Sequence, residues 1–244
     1  MKYYFIETCS PNGDGTWSSP DFFGNELIRH TDGRQELKLG GYKNPLNLLF
    51  ADPDGIEYIV LREANKYHEG VNLNKDSIVI DIGAHVGVVS MTIAKTYGCK
   101  VEAYEPAHKN YKRLVENIRI NNLEGLVIPH NLAVTSSGGM VEVGGPDDNS
   151  GGFTIYRGIY KNSVFIPVDS VTLADIVDGR EIDLLKIDCE GAEHEIFLDL
   201  EPLKHIKAIR GEFHTMLRED DLVIEPKPLL ERIRKVVPDT KVEV

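Results

Sequence analysis

The run Ser77-Ile-Val-Ile-Asp-Ile-Gly-Ala-His-Val-Gly-Val-Val-Ser-Met constrains this chain more than any other stretch. Ile78–Ile82 is a continuous apolar segment, which suits a strand buried on both faces of a parallel sheet. Val86–Tyr97 then carries Val86, Val89, Ile93 and Tyr97 on one helical face. Between the two, Asp81 sits at the strand end and Gly83 and Gly87 punctuate the turn. Gly83 permits a positive φ and leaves the backbone open to a ligand. Gly87 lets the helix start pack close to the strand. Taken alone, the spacing would equally fit an ordinary strand–helix turn.

The alternation continues. Strands are predicted at Val101–Tyr104, at Leu126–Ile128 with Leu132–Val134 (together a third strand), and at Met140–Val143 and Ser163–Val168. Further strands follow at Ile182–Ile187, Ile206–Phe213 and Lys241–Val244. Helices are predicted at His108–Asn122, Val171–Val177, Ala192–Leu200 and Pro228–Val237. This pattern predicts an α/β, Rossmann-like, doubly wound and mostly parallel sheet. Residues 1–70 read as an N-terminal β-containing extension or cap, strand-like at Tyr3–Ile6, Leu46–Phe50 and Glu57–Leu61. Aromatics such as Tyr3, Phe5, Phe22 and Phe23 argue against a disordered tail there. Residues 71–244 read as the domain that carries the site.

In such sheets a ligand binds beyond the carboxyl ends of the strands, at the switch point. That rule selects Asp81, Glu105, Asn131, Asp188 with Glu190, and Glu212 with His214. The dinucleotide fingerprint would be G-x-G-x-x-G. Here the spacing is G-x-x-x-G, with an aspartate two residues before the first glycine. A carboxylate at that point suits an amine, a sulfonium or a ribose better than a pyrophosphate. This favours an S-adenosylmethionine enzyme over a nicotinamide one. Glu105, ending the second strand, can accept hydrogen bonds from both ribose hydroxyls.

Three segments in order, VIDIGAHVGVVSM, VEAYEPAHKNYKRLVENIRINN and LLKIDCEGAEHEIF, resemble the motif series of the FkbM family of S-adenosylmethionine-dependent methyltransferases. The likeness runs from about Tyr67 to His214. It implies a class I methyltransferase fold that mostly methylates hydroxyl oxygens of small molecules or sugars. By motif position, Asp81, Gly83 and Gly87 would line the methionine part of the cofactor and Glu105 the ribose. Asn131, Leu132 and Ala133 would lie beside the adenine. His85 would contact the cofactor or fill the turn. Two departures are evident. The first 65 residues match nothing in the family, and one strand follows Glu212 where the fold usually closes with two in an antiparallel hairpin.

The reaction needs a carboxylate-lined pocket for a cationic donor and a base for the acceptor proton. Asp188 and Glu190 lie on one turn, where Glu190 and Glu193 could also serve as helix N-terminal acids. Glu212 and His214 share one side of a strand end, with Phe213 opposite. We expect Asp188, Glu212 and His214 to be catalytic, with His214 as the base, and Glu190 to touch the cofactor. Asp188, Glu212 and His214 would allow a hard divalent ion, which is not expected. His194 and His205 read as surface residues.

Net charge and cysteines narrow the partners. A formal charge of -12 repels phosphate backbones, so no nucleic acid is expected. Cys9, Cys99 and Cys189 are scattered and odd in number, which fits a reducing cytoplasm and no zinc site. No apolar run is long enough to span a membrane, and the N-terminus lacks a secretory signal pattern. The expected partner is a small-molecule or glycan acceptor. A nicotinamide oxidoreductase and a non-catalytic nucleoside-binding module remain the alternatives at this point.

Overall fold

A computed structural model describes residues 10–11, 17–20, 26–39, 46–51, 64–146, 150–157, 163–217 and 223–244. The expected strands Tyr3–Ile6 and Glu57–Leu61, and the aromatics Phe22 and Phe23, lie outside them. Five short strands open the described chain: β1 (Ser10–Pro11), β2 (Trp17–Pro20), β3 (Glu26–Arg29), β4 (Gln35–Leu39) and β5 (Leu46–Phe50). They form an antiparallel meander in sequence order. A 3-10 turn at Ala64–Tyr67 leads into the main domain.

Next come β6 (Ile78–Ile82), α1 (Val88–Tyr97), β7 (Lys100–Tyr104), α2 (His108–Ile120) and β8 (Val127–His130). A smaller group follows, of β9 (Ala133–Thr135), β10 (Gly139–Val143), β11 (Ile166–Thr172) and α3 (Leu173–Val177). The chain then runs through β12 (Leu184–Ile187), α4 (Glu193–Ile196), β13 (Ile209–Glu212), β14 (Met216–Leu217), β15 (Val223–Ile224), α5 (Lys227–Val236) and β16 (Thr240–Glu243). Six strands make the central sheet in the order β16-β13-β12-β6-β7-β8. Every neighbouring pair in it is parallel. Successive side chains of a strand face opposite ways. Accordingly Val79 joins the core under α1, α2 and β5, whereas Ile80 and Ile82 join the core under α3, α4 and α5. The strand order reverses between β6 and β12, so the crevice opens there. This is the α/β Rossmann-like fold expected from the alternation.

Several boundaries differ from expectation, each for a local reason. The expected third strand is two strands in different sheets. β8 lies in the central sheet, and β9 pairs with β11 after the chain turns at Asn131 and Leu132. Val171 and Thr172 belong to β11. The helix begins only at Leu173, because Thr172 and Asp175 cap it reciprocally. The helix expected over Ala192–Leu200 is a single turn. Asp199 Oδ1 accepts from Glu201 N–H at 2.9 Å, and Pro202 sits in the first turn of a separate 3-10 segment, Glu201–His205. After β13 the described chain forms the β14–β15 hairpin before α5, and β16 closes the edge in parallel.

Two ties bind the N-terminal part to this sheet. Leu46, Leu48 and Phe50 enter the same core cluster as α1 and α2. Asn121 at the C-cap of α2 and Asn117 on α2 accept from Leu49 N–H (2.9 Å) and Ala51 N–H (3.0 Å), and Asn121 Nδ2 donates to Leu49 O at 2.8 Å. At the other edge the buried Arg210 guanidinium donates to the Asp239 carboxylate at 3.0 and 3.1 Å and reaches Glu69 O at 3.5 Å. No helix among the described residues is long and apolar enough to cross a membrane.

Candidate active site

Gly83 adopts φ +77°, and a Cβ on it would fall 1.8 Å from the carbonyl oxygen of Asp188. Its bareness therefore lets the exits of β6 and β12 press together. Gly87, at φ +88°, starts α1, where a Cβ would fall 2.5 Å from Leu114 Cδ1 of α2. Asp81 stands one layer behind them and is 0% exposed. Ser90 Oγ donates to its Oδ2 at 2.5 Å, and Lys186 Nζ lies 3.1 Å from its Oδ1. Lys186 is the direct register partner of Asp81 on β12, and its Nζ also donates to Gly83 O at 2.7 Å. Burial alone would lower the Lys186 pKa, but Asp81 and Asp188 hold it above its ordinary value. Asp81, expected to line the methionine part of a cofactor, lies behind the cavity wall instead, because its carboxylate is taken up by Lys186 and Ser90.

A cavity of about 280 Å³ opens at the carboxyl ends of β6, β7 and β12. Gly83, His85, Glu105, Ala133, Asp188 and Glu190 all line it. Glu105 is buried, and its carboxylate accepts from His85 N–H (2.8 Å), Ala107 N–H (2.9 Å) and Asn110 Nδ2 (3.4 Å). Burial raises its pKa to about 7 against the opposing pull of these donors. His85 takes a left-handed φ of 53°, which aims its N–H at Glu105, and its Nε2 hydrogen-bonds Ser150 Oγ at 2.7 Å. Ser150, Gly151 and Phe153–Ile155 cross the cavity as a strap, and Thr154 Oγ1 donates to Glu190 O at 2.8 Å. Leu132 and Ala133 line this cavity, but Asn131 lines an adjoining one of about 700 Å³. Its Nδ2 donates to the carbonyls of Glu105 (2.9 Å) and Pro106 (3.0 Å), so it braces the turn after β7.

The other end of the cavity is acidic. Tyr67 OH lies 2.9 Å from Glu212 Oε1 and 3.3 Å from Asp188 Oδ2, bridging the ends of β12 and β13. Lys66 Nζ donates to Glu212 Oε1 at 2.8 Å. Burial would raise the Glu212 pKa, but these two donors hold it low. Burial raises Asp188, and it raises Glu190 to about 7. His214 Nδ1 lies 3.2 Å from Glu193 Oε1, and its Nε2 lies 3.9 Å from Glu190 and 4.0 Å from Glu212. Burial alone would lower the His214 pKa. The hydrogen bond and charge of Glu193, with Glu190 and Asp188, outweigh it and raise the pKa to about 9. The imidazole expected to titrate near neutrality is therefore an imidazolium at neutral pH. Asp188, Glu190 and His214 offer ligand atoms within 4.8 Å of one another.

The structure thus brings Gly83, His85, Glu105, Ala133, Asp188, Glu190 and Glu212 to one cavity, with His214 against Glu190 and Glu212 at its rim. It sets Asp81 behind the wall, Gly87 at a helix contact and Asn131 next door. His194, expected at the surface, is half-buried and its Nε2 donates to His214 O at 2.7 Å. Sequence reasoning missed Lys66, Tyr67, Asn110, Lys186 and Glu193 as site residues. Lys186 left a trace, a charge inside the apolar run Leu-Leu-Lys-Ile. Lys66 and Tyr67 left none, since they arrive from a turn outside the motif series.

Among known proteins, the methyltransferase FkbM domain matches residues 81–236, more than half of the chain. No curated protein matches it. Among solved structures, a SAM-dependent methyltransferase from Agrobacterium tumefaciens is 14% identical over 97% of this chain and 62% of that one, with a TM-score of 0.40. TYW2 from P. horikoshii, in complex with MeSAdo, is 24% identical over 40% of this chain and 36% of that one, with a TM-score of 0.28. The MccD protein is 17% identical over 27% of this chain, with a TM-score of 0.26, and the match spans 29% of its length.

Proposed function

Because the chain belongs to the methyltransferase FkbM domain family, we propose that it is an S-adenosylmethionine-dependent enzyme that methylates a hydroxyl oxygen of a small molecule or sugar. One observation carries the reading. The cavity at the switch point has a buried carboxylate, Glu105, at one end and the cluster of Asp188, Glu190 and Glu212 at the other. The residues fit the donor's parts. Glu105 keeps an acceptor position for a ribose hydroxyl, and Leu132 and Ala133 give an apolar wall for a base.

The donor supplies an electrophilic methyl group on a cationic sulfur. The chain's own work is positioning and charge. Asp188, Glu190 and Glu212 favour a cation beside them, and Lys186 keeps Asp81 and Asp188 from repelling one another. Tyr67 and Lys66 hold Glu212 in place. The acceptor proton goes to this cluster. His214 is already protonated at neutral pH, whereas a carboxylate held near 7 is matched to accept a proton there. Glu190 is therefore the candidate base at neutral pH, with the His214 imidazolium beside it as its charged partner.

Calorimetry tests the cofactor: S-adenosylhomocysteine should bind and NAD should not. Labelled methyl transfer to a panel of sugars and phenolic or alcoholic small molecules tests the acceptor class. Binding of NAD without S-adenosylhomocysteine would refute the reading, and transfer only to amines would refute O-methylation.

A further inference from the structure

Glu105 is almost out of acceptor capacity. An ionised carboxylate offers about four acceptor positions. Ala107 N–H and Asn110 Nδ2 occupy Oε1, and His85 N–H occupies one side of Oε2. One position is left, on Oε2. A ribose ring presents two neighbouring hydroxyls, so this carboxylate cannot take both.

Asn110 stands beside it on the cavity wall and is 2% exposed. Its Nδ2 donates to Ser150 O at 2.8 Å and to Glu105 Oε1. Both partners are acceptors, which settles which end of the amide is nitrogen. The amide oxygen is left over. Among the described residues Asn110 Oδ1 has no hydrogen-bond partner, and it is cut off from solvent. A buried acceptor without a donor is costly, and a ligand that brings the donor recovers that cost.

We infer that Asn110 Oδ1 accepts the second ribose hydroxyl of the adenosyl cofactor, so that Glu105 and Asn110 divide the diol between them. This rests on the proposed S-adenosylmethionine reading. It assigns Asn110 a direct ligand contact through its oxygen, while its nitrogen keeps Glu105 and the Ser150 strap in register. Neighbouring hydroxyls on one ring suit two acceptors that already touch through Nδ2 and Oε1. The division also makes the site a reader of the intact diol, because neither residue can serve both hydroxyls.

The test is a ligand-and-variant cycle read by calorimetry, with S-adenosylhomocysteine and its 2′-deoxy and 3′-deoxy forms against wild type and Asn110→Ala. In the wild type each deoxy form should bind roughly threefold to tenfold more weakly than the parent. In Asn110→Ala one of the two penalties should vanish and the other remain. Both penalties surviving in the variant would overturn the inference, as would a deoxy form that matches the parent in the wild type. If Asn110→Ala does not fold, Asn110→Val, which keeps the side-chain bulk and removes the oxygen, carries the same arm with the same expected loss of one penalty. Failure of S-adenosylhomocysteine itself to bind the wild type would bring down the cofactor reading. Parent binding without the coupling would bring down only the role of Asn110.

Discussion

Replacing Lys186 by methionine isolates the charge balance under the cavity. Methionine keeps most of the side-chain volume and removes the ammonium. Asp81 is 0% exposed and would keep one partner, Ser90 Oγ at 2.5 Å. Gly83 O would lose its donor at 2.7 Å as well. Removing one member of a buried ion pair costs about 3–5 kcal/mol, because the other charge stays buried and unpaired. The surviving Ser90 bond argues for the lower end, about 3 kcal/mol. For a chain of this size that corresponds to a fall in Tm of roughly 6–12 °C. Urea unfolding with linear extrapolation measures the loss directly. The double variant Lys186→Met with Asp81→Asn removes the stranded charge and should recover most of the stability, to within about 1 kcal/mol of wild type. A loss under about 1 kcal/mol in the single variant, or a double variant no better than the single, would refute the claim that this pair is a desolvated unit.

Gly83→Ala should destabilise the fold by about 3 kcal/mol or more, because a Cβ 1.8 Å from Asp188 O and a left-handed φ both oppose it; a wild-type unfolding midpoint in urea would contradict this. Tyr67→Phe keeps the packing and loses the bridge to Glu212 and Asp188, which should cost about 1–2 kcal/mol in the same assay; an unchanged midpoint would mean the phenol bridges nothing. His214 has a folded pKa raised from 6.5 to about 9, so its contribution is full below about pH 6.5 and disappears as pH climbs through about 9. Unfolding free energy should therefore drop between pH 6.5 and 9.5 more steeply in wild type than in His214→Gln, and equal slopes would disprove the raised pKa.

The sheet was legible because strands buried on both faces must be apolar throughout, as Ile78–Ile82 and Leu184–Ile187 are. The glycine turn was legible because only glycine fits where Gly83 meets the carbonyl of Asp188. The strand ends are where the cavity opens, and Glu105, Asp188, Glu190 and Glu212 all line it. What the pattern hid was pairing across the chain. Nothing in the local sequence says that Lys186 lies in register with Asp81 and turns that carboxylate inward. Nothing near His214 says that Glu193, buried at the start of α4, sets its charge. The short α4 was also hidden, since the turn in which Asp199 accepts from Glu201 N–H and the break at Pro202 override an otherwise helical composition.

The tie between β5 and α2 bears on how the molecule can be divided. Leu46, Leu48 and Phe50 share a core with α1 and α2, and Tyr67 reaches the carboxylates of Asp188 and Glu212 from the segment just after. A cut near residue 70 would therefore pass through a single packed unit rather than a hinge. A shortened chain starting there would expose the outer faces of both helices and leave Glu212 without two of its donors. Any change that loosens the leading meander has a short mechanical route to the acidic end of the cavity.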